Sequence, residues 1–403
     1  MSSENTHATP EADSFQHTSW ARVPLIGVVL SLLVGVILLA FAWPAVTASP
    51  KDLPVGIVGT DAQVDQITGT IEDQAEGAVK LTRYDDRDAA VSAIEQREAY
   101  GAIVLGAEPT DAPEVLQATA ANAQVAQLMN GFAQQIQTQV DTQITAALEE
   151  NLQKAQEAAV AATQAAIQQA VQAALAGQTP QASATPPAAT PIEIPTVTVT
   201  VTDIAPFADT DPRGAGLTAS MFPLVIGGMI GGIGISTLVR GGQGRRVLAV
   251  VVYSISAGFV LAGILQGWFG ALQGNYFVNA AAIAVSIAAI TSTITGLAGL
   301  FGTAGAGIGA AFMFLFANPI SAAALPVEFI ASPWGVIGQY LPPGAAATLI
   351  RNLSYFPEAN VTGQWLLLTG WSVIGLALTA IDLPGRRRHP EAAPAPTFHA
   401  DAN

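Results

Sequence analysis

VNAAAIAVSIAAITSTITGLAGL, from Val278 to Leu300, is a run of 23 residues without a single charge. A helix of about 20 such residues spans the ~30 Å hydrocarbon core of a bilayer, because it satisfies every backbone N–H and C=O internally. Soluble helices seldom run so long without a charged side chain. This chain does so six times, at Val23–Trp43, Leu217–Val239, Val247–Gln266, Val278–Leu300, Ala304–Leu325 and Gln364–Ile381. Between the first two runs lies a polar insert of about 170 residues. The expected fold is a polytopic α-helical membrane protein with six transmembrane helices, an extracytoplasmic α/β lobe and a long helical stalk.

Composition agrees. Of 403 residues, 51% are hydrophobic and only 11% charged, which suits a membrane protein carrying one soluble domain. Residues 44–213 hold 7 basic and 22 acidic side chains, so the whole formal charge of −15 resides in the insert. Such a surface repels nucleic acid and anionic headgroups, and no nucleic-acid partner is expected. Arg22 precedes the first run, Arg240, Arg245 and Arg246 lie between the second and third, and Arg386, Arg387 and Arg388 follow the sixth. Six crossings put all three places on one side, which the positive-inside rule makes the cytoplasm. The expected division is a cytoplasmic tail 1–22, a transmembrane helix 23–43, an extracytoplasmic domain 44–213, a five-helix transmembrane domain 214–383 and a cytoplasmic tail 384–403. This is a multi-pass protein of the cytoplasmic membrane with both termini inside. Arg22, the first run and Val46-Thr47-Ala48 also fit a cleaved signal peptide, but a run of about 19 residues exceeds the usual ~7–15, so an uncleaved anchor is preferred.

Several chemistries are excluded. With no cysteine, disulfides, thiolate nucleophiles and thiolate metal sites do not arise, and His7, His17, His389 and His399 all fall in the polar tails. No phosphate-cradling G-x-x-x-x-G-K-[ST], nucleophile-elbow G-x-S-x-G or H-E-x-x-H pattern occurs. No enzyme activity, cofactor or metal is therefore expected. Asp85, Asp86 and Asp88 lack the ligand spacing of a calcium loop and read better as a solvated turn or helix cap. The near absence of ionisable groups in the spans disfavours an ion-coupled transporter.

In the insert, Leu53–Gly59, Val79–Tyr84 and Gly101–Leu105 read as strands, with helices around Val64–Ile71 and over Asp88–Tyr100, a β-α-β-α-β order. From Pro113 to Ala176 the chain is rich in Ala and Gln and reads as helix, either a stalk of ~90 Å or a folded-back hairpin. Leu128, Phe132, Ile136, Val140, Ile144, Leu148 and Leu152 recur every four residues, a stripe that drifts ~40° per step and implies more than one packing partner, a second chain being one option. Gln178–Pro195 reads as a linker, and Thr196–Thr202 as a strand returning to the lobe. Gly227, Gly228, Gly231 and Gly232 fit close packing within the bundle, with homodimerisation the sharper alternative.

Between the last two spans the chain is rich in proline and aromatic residues. The stretch NPISAAALPVEFIASPWGVIGQYLPPGAAATLIRNLSYF (318–356) is similar to the segment before the last helix of type-2 ABC transporter permeases, in their phage-infection-protein-like branch. DLPVGIV (52–58) and DAAVSAIEQREAYGAIVL (88–105) resemble the outer domain of the same family. The resemblance implies a dimeric exporter subunit in the lipid bilayer, powered by a separate cytoplasmic ATPase and moving an apolar or amphipathic substrate outward. Glu328, Trp334, Pro342, Pro343, Gly344 and Arg351 are the candidate extracytoplasmic gate. Arg240, Arg245 and Arg246 are the candidate ATPase contact, although the loop Arg240–Arg246 is too short and Gly-rich for the family's coupling helix. The alternative function is a non-transporting membrane scaffold, surface receptor or secretion component that uses the long helix, a coiled-coil candidate, to recruit proteins.

Overall fold

A computed structural model describes residues 22–74, 77–106, 111–177 and 197–381. The tails, with their histidines and Arg386–Arg388, and the linker expected at Gln178–Pro195 lie outside the described residues. The chain divides into two compact units, 1–47 and 48–403. The first contains helix α1 (Arg22–Val46), whose Pro24–Val46 stretch is long and apolar enough to cross a bilayer.

The second unit opens with the lobe. Strands β1 (Leu53–Val58), β2 (Val79–Arg83), β3 (Gly101–Val104), β4 (Glu114–Gln117) and β5 (Thr200–Asp203) form one sheet in the order β2-β1-β3-β4-β5. β1 pairs in parallel with β2 and β3, β3 pairs antiparallel with β4, and β5 returns parallel to β4, with Val115 opposite Val201. Alternate residues serve opposite faces, as strand geometry requires. Leu53, Val55, Ile103 and Val115 pack against Ile67 and Ile71 of α2 (Asp61–Gln74) and against α4 (Ala123–Leu175). Ala102 and Leu116 face α3 (Arg87–Glu95) together with Phe356 and Ala359 from the bundle side. Asp86 accepts from Ala89 N at 2.8 Å and caps α3.

One sequence expectation changes here, and one open choice is decided. The helix expected from Pro113 begins only at Ala123, because Glu114–Gln117 is a strand ordered by its ladder with β3 and by Arg87 and Thr202 on Glu114. Asn122 then caps the helix, its Oδ1 accepting from Gln124 N and Val125 N. α4 is a single helix of 53 residues, ~80 Å long at 1.5 Å per residue, and not a hairpin. Only its first five turns are anchored. Val125, Met129, Ala133 and Ile136 are buried on the sheet, whereas Leu152, Val160, Ile167, Val171 and Leu175 are exposed.

The bundle centres on α7 (Tyr276–Phe301), the most buried of the spanning helices, which shows no apolar stripe. α5 (Ala215–Leu238) lies on one face, with Gly228 against Ile290 and Gly232 against Ile294. A Cβ at those glycines would come within 2.7–2.8 Å of the isoleucine Cβ atoms. Thr291 Oγ1 donates to Gly228 O at 2.9 Å across this contact. Gly231 packs on Tyr253 of α6 (Gln243–Ala262), whose hydroxyl donates to Gly227 O. These glycines are thus consumed in packing within the chain.

On another face lies α11 (Thr362–Ala380), with Gly375 on Ser292 and Thr379 hydrogen-bonded to Thr295. Rising residue numbers match rising residue numbers in both contacts, so α5 and α11 run parallel to α7. The chain must therefore return across the bundle between Phe301 and Thr362. Helix α8 (Thr303–Ala311), continued by a π-helical turn at Phe312–Ala317, makes that return after the turn at Gly302 (φ 70°), with Gly305 and Gly309 on Leu297 and Ile294. At 15 residues, ~22 Å, Thr303–Ala317 is shorter than the expected span Ala304–Leu325, because Asn318-Pro319 breaks the helix. Five helices are long and apolar enough to cross a membrane among the described residues, and this shorter one accompanies them. The protein is a polytopic helical membrane protein.

Candidate functional site

The two ends of the bundle differ in chemistry. At one end the lobe meets the connector, residues 318–341, and helix α10 (Pro342–Tyr355). Asn122, while capping α4, also donates Nδ2 to Ala324 O at 3.2 Å. Tyr100 donates its hydroxyl to Glu328 Oε2 at 2.9 Å. Arg97 follows the last turn of α3 in the left-handed region (φ 66°), a conformation that costs any residue but glycine. There its guanidinium stacks 5.2 Å from the Tyr100 ring centroid and 4.7 Å from that of Phe356. Arg351, 9% exposed, donates Nη2 to Ala323 O at 2.8 Å.

Burial sets the electrostatics of this junction. It pushes the Tyr100 phenol well above its usual value, with Glu328 adding to the shift and Arg97 opposing it. It also lowers the Arg97 guanidinium, and lowers Arg351 to about 10, the charge of Arg97 adding to the second shift. Two cations and one carboxylate thus share the junction, and neither arginine forms an ion pair among the described residues.

Of the expected gate residues, Glu328 and Arg351 belong to this junction. Trp334, Pro342, Pro343 and Gly344 sit beside it and hold the connector in shape. Trp334 stands edge-on to Phe316, centroids 5.9 Å apart, and starts α9 (Trp334–Gln339). Pro342 and Pro343 occupy the first turn of α10, where a missing N–H costs nothing. Gly344 lies against the Gly338 and Ser321 carbonyls, where a side chain would not fit. Arg97 and Tyr100 escaped the sequence reading, which carried the helix on to Tyr100, whereas α3 ends at Glu95 and is capped by Gln96.

The opposite end holds a cavity of about 950 Å³. Its walls come from the last turns of α5 (Ile233, Ser236, Thr237), the start of α6 (Gln243, Arg246) and the beginning of α8 (Gly307). Only residues 239–242 link α5 to α6, so Gln243–Arg246 is the first turn of α6 and no coupling helix stands there. Arg240 and Arg245 are exposed, whereas Arg246 is half-buried in the cavity wall and donates Nε to Val239 O at 3.3 Å. The three candidate ATPase contacts therefore split, two outward and one inward.

This polarity follows from sequence. Between residues 214 and 327 there are three basic residues, all at this end, and not one Asp or Glu. The lobe end carries the acidic surface.

Comparison with curated proteins and with solved structures returned no significant match. A family model described as ABC-2 family transporter protein matches residues 25–240, more than half of the chain. That span takes in α1, the lobe and α5 up to the arginine-bearing turn. A set of apolar helices without acidic residues, a sheet-based lobe before the second of them and a cationic far end fit such a permease, and the chain belongs to the ABC-2 transporter family.

Proposed function

We propose that this chain is the permease subunit of an ABC-type exporter, a dimer in the cytoplasmic membrane that moves an apolar or amphipathic substrate outward on the energy of a separate ATPase. The family assignment carries the reading. The end polarity of the bundle supports the direction, since a carboxylate-free cationic end belongs in the cytoplasm and an acidic lobe outside. Substrate would enter at the arginine end and leave past the junction of Glu328, Tyr100, Arg97 and Arg351. Arg240 and Arg245, exposed beside the mouth of the cavity, are the contacts offered to the ATPase. With only residues 239–242 between α5 and α6, that contact is small.

The test is co-purification. The tagged chain retains an ATPase, and the double variant Arg240→Ala/Arg245→Ala loses it while eluting as an intact membrane protein. A chain that brings down no ATPase from membranes in which it is functional sinks the exporter reading. The distal half of α4, exposed beyond Val140, favours a second reading as a scaffold that recruits other proteins. Deleting Leu148–Leu175 spares export under the first reading and abolishes function under the second.

A further inference from the structure

The cavity at the arginine end has the makings of a binding site. At about 950 Å³ it lies within the range of small-molecule sites, ~300–1,000 Å³. Its floor is small and apolar, with Ala298, Ala306 and Gly307 leaving room between α7 and α8. Its rim is polar. Arg246 spends its Nε on Val239 O, and its two terminal nitrogens have no acceptor among the described residues. Their planar fork matches the spacing of phosphate or carboxylate oxygens. No carboxylate anywhere between residues 214 and 327 competes for that charge. One turn from Arg246 on the same helix, Gln243 Oε1 is buried and accepts no hydrogen bond among the described residues. An orphaned acceptor of this kind calls for a donor from outside the chain.

We infer that this cavity binds an amphiphile whose head carries a phosphate for Arg246 and a hydroxyl for Gln243, its apolar tail lying over Ala306 and Gly307. The assignment names a substrate class for the exporter and rests on that reading for the fate of the bound molecule. Binding itself belongs to the isolated chain and needs no ATPase.

Phosphatidylglycerol has both features, whereas phosphatidylcholine keeps the phosphate but adds a cation and lacks the hydroxyls. The purified full chain is equilibrated with the two lipids at equal mole fraction in neutral micelles, and the lipid retained is read by native mass spectrometry. The wild-type chain keeps phosphatidylglycerol in preference. Arg246→Gln reduces that preference roughly tenfold, the worth of one charge-assisted hydrogen bond. Gly307→Leu sets a bulky side chain where the tail would lie without altering any charge, since nothing lies within 4 Å of a Cβ at that position, and it weakens the preference as well. Gly307→Ala leaves the room open and retains it, which guards against a folding artefact. Equal retention of the two lipids by the wild-type chain overturns the site. So does a preference that is undiminished in Gly307→Leu, which would trace it to arginines on the surface. Displacement of the lipid by excess inorganic phosphate overturns the amphiphile in favour of a free anion. Loss of ATPase co-purification, by contrast, touches only the transport reading.

Discussion

Gly228→Ala and Gly307→Ala make the same chemical change on two helices of one bundle, and their effects should have opposite signs. Each relieves up to ~1 kcal/mol of glycine's helix penalty. At Gly307 nothing else happens, because the new Cβ meets no atom within 4 Å. At Gly228 the Cβ arrives 2.8 Å from both Cβ and Cγ2 of Ile290, against ~3.5–4.0 Å for carbon atoms at rest. Ile290 is fully buried and has nowhere to go, so α5 must back away from α7 by roughly 1 Å, an overpacking cost of ~1–3 kcal/mol. That retreat also stretches the 2.9 Å bond from Thr291 Oγ1 to Gly228 O, for a further ~0.6 kcal/mol. The two variants should therefore differ by about 2–4 kcal/mol, with Gly307→Ala the more stable. Thermal unfolding in micelles, followed by tryptophan fluorescence, translates this into at least ~4 °C between midpoints. Midpoints that agree within about 1 °C would refute the close approach of α5 to α7.

The other predictions concern orientation and the lobe. Because the chain has no cysteine, single cysteines report topology cleanly: on intact cells an impermeant maleimide should label Gln168→Cys in α4 and spare Gly242→Cys, and the reverse pattern inverts the protein. Glu114 is held below the usual carboxylate range by its paired hydrogen bonds from Arg87 and by Thr202, so its contribution is present above pH ~4.3 and is lost as pH falls through the depressed value. Glu114→Gln should cost about 1 kcal/mol at neutral pH and flatten the acid limb of the unfolding curve. Tyr100, facing Glu328, Arg97 and Arg351, keeps its proton in the folded chain above pH ~10 while the unfolded phenol loses it, so stability drops there with pH. Tyr100→Phe should thus be less stable than wild type at pH 7, by about 1 kcal/mol for the bond to Glu328, with the gap narrowing above pH 10.

The spans were legible because length and absence of charge are local properties, and the lobe's first three strands because short apolar runs and alternation are local too. β4 was not. Glu114–Gln117 has four residues, adjoins an Ala/Gln-rich run of high helix propensity, and becomes a strand only through β3, 10 or more residues upstream. The fifth span ended early at Asn318-Pro319, a break whose force depends on the connector packing under it. Among candidate site residues, Glu328 and Arg351 stood out as charges in apolar surroundings. Their partners Arg97 and Tyr100 lie over 200 residues away, and only the docking of lobe on connector unites them. The cavity left the faintest trace, since it is built where side chains are missing, at Gly242, Gly302 and Gly307.

That distribution constrains how the two ends communicate. α11 is tied to α7 by the Thr295–Thr379 bond and α5 by Thr291, inside a medium that offers no competing water, so both should move with α7 as one body. α8 meets α7 through close glycine contacts at Gly305 and Gly309, and it continues into the π-turn at Phe312–Ala317, a rare helix form found mostly as single turns at functional sites. One end of α8 forms a wall of the cavity, and the other feeds the connector whose carbonyls hold Arg351 and Asn122. Of the elements joining the arginine end to the lobe junction, α8 meets α7 through glycine contacts, and it can shift at lower cost than α5 or α11. If Gly309→Val, which would press on Ile294, changes the reactivity of a cysteine at Glu328 while leaving one at Thr237 on α5 unaffected, α8 carries the coupling. If both cysteines respond alike, the whole bundle moves and α8 has no separate part in it.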